Sequence, residues 1–118
     1  MRNYKRFEIW KQGHELVLSV YDVCRRFPSE ERYGLVSQMR RAAVSVPANI
    51  AEGSGRPSSA DFARFLGIAL GSLSEVDYYV VVARDLGYID DATARSLNSQ
   101  IADVRRMMTR FRATVTDT

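Results

Sequence analysis

Cysteine is almost missing from this chain. Cys24 is the only one among 118 residues, which excludes an internal disulfide and any multi-cysteine metal site and suits a reducing cytoplasm, the compartment expected for the protein. Histidine is as scarce. His14 stands alone, so the paired Glu-x-x-His motifs of a di-iron bundle cannot be assembled and no metal or other cofactor is expected. Long apolar runs are missing too: the longest uncharged stretches, 42–51 and 65–74, hold ten residues each, about half of the ~20 a helix needs to cross a bilayer. The first ten residues mix Arg2, Lys5, Arg6 and Glu8 with aromatics, without the apolar run of a secretion signal. Neither export nor a membrane span is expected. There is no Gly-x-Ser-x-Gly elbow and no Gly-Lys-Ser/Thr phosphate loop. Cys24 has no evident activating partner, so no catalytic residue is assigned and an enzyme is not expected.

Lysine is the last scarcity. Lys5 and Lys11 are the only two beside fifteen arginines, and with fourteen acids the formal charge is +3. Arginine presents a rigid planar fork matched to phosphate and carboxylate, where lysine offers a hydrated point charge.

What is abundant is helical periodicity. A chain of this length fits one domain, residues 1–118, and four helices are expected at about 7–26, 31–52, 59–86 and 91–113. The stretch from Ser59 to Leu86 organises the rest because it carries two apolar rows. Phe62, Leu66, Ala69, Leu73, Val76, Val80 and Ala83 form one; Phe65, Ile68, Ser72, Tyr79, Val82 and Leu86 form another about 100° away, interrupted by Glu75. The first helix is doubled in the same way, with Phe7, Trp10, His14, Val17, Tyr21 and Cys24 beside Ile9, Gly13, Leu16, Val20, Val23 and Phe27. On this reading His14 is a buried histidine with a hydrogen bond. Helix two holds Pro47 and is expected to kink there without dividing, then to stop at Gly53 in a left-handed cap. Gly87 is the expected terminator of helix three, and the last residues are expected to fray. Helix four has a single stripe, Ala94, Leu97, Ile101, Val104, Met108 and Phe111.

No β pattern competes, so the expected fold is all-α, an antiparallel up-down-up-down four-helix bundle. One apolar face per helix suffices for such a bundle. The extra rows argue for a rotationally symmetric homo-oligomer, with Phe65, Ile68, Tyr79, Val82, Ile9 and Leu16 as candidate interface residues.

The run Phe27-Pro28-Ser29-Glu30-Glu31-Arg32-Tyr33-Gly34-Leu35, then 38–41, then Ser45-Val46-Pro47-Ala48-Asn49-Ile50-Ala51-Glu52-Gly53-Ser54-Gly55-Arg56 closely resembles the four-helix bundle proteins encoded in intervening sequences of 23S ribosomal RNA genes. Phe62, Phe65-Leu66, Ala69, Gly71-Ser72-Leu73 and Glu75 continue the match, which covers roughly residues 7–89. Helix four matches only in its hydrophobic rhythm. The resemblance implies a ring-shaped homo-oligomer, a pentamer of four-helix bundles. It extends to an accessory protein of diversity-generating retroelements, a basic pentamer that engages a reverse transcriptase and nucleic acid.

Candidate nucleic-acid contacts follow from the arginines. Arg105, Arg106, Arg110 and Arg112 put four positive charges into eight residues; the competing reading is a solvated face. Arg40 and Arg41 flank the helix-two core, where one could meet an acid across an interface, and Arg56 with Ser58 offers a weak anion site at a helix start. Gly67-x-x-x-Gly71 reads as close helix packing, and Asn49 and Glu52 as anchors for the following loop or a subunit contact. A pentamer would multiply the +3 charge fivefold, so a patch weak in one copy gains strength in the assembly. The expectation is a pentamer that binds structured RNA or another nucleic acid through arginine. The alternative is an adaptor ring that recruits a protein partner and touches no nucleic acid.

Overall fold

A computed structural model describes residues 2–116. It contains four α-helices and, among the described residues, no strand: α1 at Glu8–Cys24, α2 at Leu35–Ser54, α3 at Ser59–Asp85 and α4 at Asp91–Thr116. Single 3-10 turns at Tyr4–Arg6 and Ser29–Glu31 precede α1 and α2. The molecule measures 45 × 24 × 20 Å, which is the length of one 26- or 27-residue helix by the width of two.

Local chemistry sets the helix ends. Ser58 accepts from the Asp61 backbone N–H at 3.1 Å and Asp90 accepts from Thr93 N–H at 2.8 Å, capping α3 and α4. Gly87 has φ +76°, and Tyr88 N–H reaches back to the Ala83 carbonyl at 2.9 Å, closing α3 as a left-handed glycine cap does. The start of α2 differs from expectation. Residues 29–34 are a 3-10 turn and its exit, and α2 begins at Leu35, whose N–H is capped by Glu31 Oε1 at 3.2 Å. The other carboxylate oxygen of Glu31 accepts from Tyr88 hydroxyl at 2.8 Å, tying the α2 entrance to the α3 exit. Loss of the phenolic proton beside that carboxylate is unfavourable, so the bond to Glu31 raises the Tyr88 pKa.

Pro47 does not divide α2, which continues to Ser54. Gly53 is not the cap the sequence implied. It is a buried helical residue, and a Cβ placed on it would stand 2.6 Å from Phe65 Cβ and 2.9 Å from Phe62 Cδ1. Its missing side chain is what lets α3 cross so close to α2. At the far terminus, α4 stays helical to Thr116 where fraying was expected from residue 113; residues 117 and 118 of that expectation lie outside the described residues.

α1 packs on α2, α2 on α3, α3 on α4, and α4 closes back on α1. At one end Phe7, Phe62 and Phe111 meet with ring centroids 5.0–6.2 Å apart, and at the other Phe27 meets Tyr88 at 5.3 Å. Leu16, Val20, Met39, Ile50, Leu66, Leu73, Val76, Leu97 and Met108 are fully buried between them. α3 is by length and composition apolar enough to cross a membrane, but its row from Phe62 to Ala83 is packed inside the bundle.

The doubled rows separate here. On α3 the Phe62–Ala83 row is the inner one. On α1 the inner row is Ile9, Gly13, Leu16, Val20, Val23 and Phe27, and Trp10, His14, Val17 and Tyr21 are left wholly or partly in solvent. His14 is therefore not buried: it is exposed, its ring stacked on Trp10 at 5.1 Å and 3°.

Candidate functional site

The row assignment corrects the interface candidates. Ile9, Leu16 and Phe65 retain 3%, 0% and 6% exposure in a single copy; they belong to the core and have little left to give a second chain. Ile68 is exposed, while Tyr79 and Val82 are half-buried. Trp10, Val17 and Tyr21 are the accessible α1 residues that the sequence placed in a row without showing which row faced out. Gly13 marks the row that packs inward: Val46 and Pro47 lie 3.5–3.8 Å from where its Cβ would be.

Two unlike apolar surfaces result. An open groove between α1 and α2, about 340 Å³, is lined by Trp10, His14, Val17, Val44, Ala48 and Ala51 among others. The second surface is on α3, where Ile68, Tyr78 and Leu86 are 42%, 63% and 55% exposed.

The helix-four arginines do not act as one patch. At 100° per residue, Arg105 and Arg112 turn toward α3, and Arg106 and Arg110 turn away. Arg105 donates to Ser74 Oγ at 3.2 Å and lies 3.8 Å from Asp77. Arg112 donates from Nε to the Ala63 carbonyl at 2.8 Å, its guanidinium lying over Gly67. Arg106 pairs with Asp103 at 2.6 Å. Only Arg110 is exposed and, among the described residues, has no ion pair. Gly71, opposite nothing within 4 Å, takes no part in close helix packing, and Gly67 makes room for an arginine instead of a helix.

The remaining candidates are also occupied in part. Arg56 pairs with Glu52 at 3.1 Å and Asp61 at 3.7 Å and covers the Phe65 ring. Exposed pairs of this kind contribute about 0–1 kcal/mol each. Arg40 lies over the Tyr21 ring at 4.6 Å, and its Nε is buried without an acceptor. Burial pushes the pKa of the neighbouring Cys24 thiol up, against the opposing pull of Arg40, so the thiol is held protonated. Arg41 is exposed on a polar groove that also contains Gln38, Ser45, Ser72 and Glu75. The hydroxyls of Ser45 and Ser72 are 2.7 Å apart, and Asn49 donates to Ser45 at 2.8–2.9 Å, so Asn49 anchors its own helix, not the loop.

A basic end emerges that the sequence did not display. Where Phe7, Phe62 and Phe111 meet, Arg2 lies over Phe62 at 4.7 Å and bonds the Ser54 and Arg56 carbonyls. Lys5 and Arg6 are exposed in the preceding turn, and among the described residues neither has an ion pair. With Arg56, Arg110 and Arg112 these side chains come from three separate parts of the chain. Among the described residues no three His, Cys, Asp or Glu side chains converge as metal ligands.

Comparison with curated proteins returned no match. Among solved structures, a protein of unknown function from the S23 ribosomal protein family of Bacteroides thetaiotaomicron superposes with a TM-score of 0.81 at 22% identity, covering 87% of this chain and 96% of that one. The likeness shows a shared fold. Residues 5–110 match the 23S rRNA-intervening sequence proteins, and the chain belongs to that family.

Proposed function

We propose that this protein is a non-catalytic four-helix bundle, antiparallel in up-down-up-down order, that closes into a homopentameric ring and binds structured RNA on one basic rim. The antiparallel order is supported by the Phe7–Phe62–Phe111 cluster and the Gly53–Phe65 contact, which join the starts of α1 and α3 to the ends of α4 and α2. The ring is supported by two exposed apolar surfaces that differ in shape and composition. The RNA reading rests on one observation: Lys5, Arg6 and Arg110 are exposed, without ion pairs among the described residues, at the end that also holds Arg2, Arg56 and Arg112. A ring axis running along the bundles would repeat that end on one rim. Phosphate contact there would follow charge and shape more than sequence, and the family's name makes 23S rRNA the first RNA to try. The reading assigns the protein to the cytoplasm.

The test is fluorescence anisotropy of a labelled 23S rRNA hairpin titrated with protein at several salt concentrations. The expected result is an affinity that falls along a steep log–log salt slope, and falls again in a Lys5→Glu/Arg6→Glu/Arg110→Glu variant. No binding at low salt overturns the RNA reading. A second reading, an adaptor ring without nucleic acid, is favoured by the arginines already engaged within the chain: Arg56, Arg105, Arg106 and Arg112. It predicts salt-insensitive capture of a protein partner.

A further inference from the structure

We propose that the polar groove between α2 and α3 is a binding site for a free α-amino acid, its carboxylate toward Arg41 and its ammonium toward Glu75. The groove, about 350 Å³, is lined by Gln38, Arg41, Ala42, Ser45, Ser72 and Glu75, and its volume is in the range of small-ligand sites. It shares no residue with the basic end at Lys5, Arg6 and Arg110. Helical spacing brings its groups together. Gln38, Arg41 and Ser45 follow one another at three and four along α2, and Ser72 and Glu75 at three along α3, so each set lies on one face. Gly53 meets Phe65 and Ser45 meets Ser72; stepping back along α2 is stepping forward along α3, and one further turn sets Arg41 level with Glu75.

Opposite charges share this groove without pairing. Arg56, Arg64, Arg105 and Arg106 each hold an acid within 3.8 Å, whereas among the described residues Arg41 and Gln38 make no side-chain bond, and Glu75 accepts only a long one from the Tyr79 hydroxyl at 3.5 Å. The floor is short of an acceptor. Ser72 is 7% exposed, and its Oγ lies 2.7 Å from Ser45 Oγ, which accepts from Asn49 Nδ2 at 2.9 Å. The two hydroxyls carry two protons and their mutual bond uses one; the other has no acceptor among the described residues. A donor left unsatisfied on a buried floor is costly, and a ligand carboxylate would accept from it. Arg41 adds a planar charged fork for the same carboxylate, Gln38 a neutral amide, and Glu75 an acceptor for an ammonium. Because the two charges cancel across the groove, a zwitterion fits where a phosphate would meet Glu75 and a simple amine would meet Arg41.

The experiment is calorimetric titration of the full chain with each common L-amino acid in turn, beside acetate and methylammonium as the two half-ligands. At least one amino acid is expected to bind, one per chain, with a Kd of about 1 mM or tighter, and neither half-ligand at the same concentrations. Arg41→Gln and Glu75→Gln change exposed side chains, so their circular dichroism melts are expected to match wild type. Each is expected to weaken the amino acid about tenfold or more, the loss of one charge-assisted bond. Selectivity is the decisive readout: Glu75→Gln is expected to bind acetate, no longer repelled, as well as it binds the amino acid, and Arg41→Gln to bind methylammonium likewise. Saturable binding of no amino acid overturns the site. Equal binding of acetate and amino acid by wild type, affinity that survives either substitution, or a loss without the change in selectivity overturns the assignment of a zwitterion held between Arg41 and Glu75.

Discussion

Gly53 and Phe65 are in backbone-to-side-chain contact so close that a methyl group on Gly53 would overlap Phe65 Cβ at 2.6 Å. Both lie in helices, so neither can yield without moving α2 against α3. Gly53→Ala is expected to lower stability by about 1–3 kcal/mol, the usual cost of overpacking, despite alanine's better helix propensity. Gly13→Ala is the contrast: its new methyl would meet Val46 and Pro47 at an ordinary 3.5–3.8 Å, and a gain of about 0.5–1 kcal/mol is expected. Urea denaturation of the two variants should move the midpoint in opposite directions.

Arg112 and Arg110 are two residues apart and should behave as different kinds of residue. Arg112 braces α4 on α3 through the Ala63 carbonyl; Arg112→Ala is expected to cost about 1–2 kcal/mol of stability. Arg110 is exposed, and Arg110→Ala should leave stability within about 0.5 kcal/mol while reducing the salt slope of RNA binding. Thermal melts and the anisotropy titration together distinguish the two.

Asp90 caps α4 through Thr93, and hydrogen bonds from Thr93 hold its carboxyl pKa below the ordinary value. A lowered folded pKa means that the charged form stabilises the fold. Its contribution is complete above the unfolded value of about 3.9 and is lost as pH falls through the folded value. Asp90→Ala should therefore melt below wild type at neutral pH, and the gap should narrow as both are taken into strong acid.

Cys24 is buried with its thiol pKa raised, chiefly by burial. A disulfide reagent added to the native protein at neutral pH should label it slowly, and labelling should become fast only across the urea transition. Rapid labelling of the native protein would show that the α1–α2 seam opens far more readily than its packing implies.

Four helices, and where most of them stop, are legible in the residues alone, because caps, glycines and a 3.6-residue period are local properties. Ser58, Asp90 and Gly87 act as their types demand wherever the rest of the chain lies. The family motif through α2 was equally plain. Tertiary structure alone decided which of two adjacent apolar rows on α1 faces inward, since Trp10–Val17–Tyr21 and Ile9–Leu16–Val23 are comparably hydrophobic and differ only in what they meet. The row with Gly13 is the one that packs down on Val46 and Pro47, and Trp10 and Val17 are left on the open groove beside it. The same holds for charge. Four arginines in eight residues look like a patch along the chain, but the helix turns two of them onto α3, and the folded bundle gathers its basic end from Lys5, Arg6, Arg56 and Arg110, which are distant in sequence. Periodicity is set by the backbone, whereas the choice of partner is set by which surfaces can approach closely enough to exclude water.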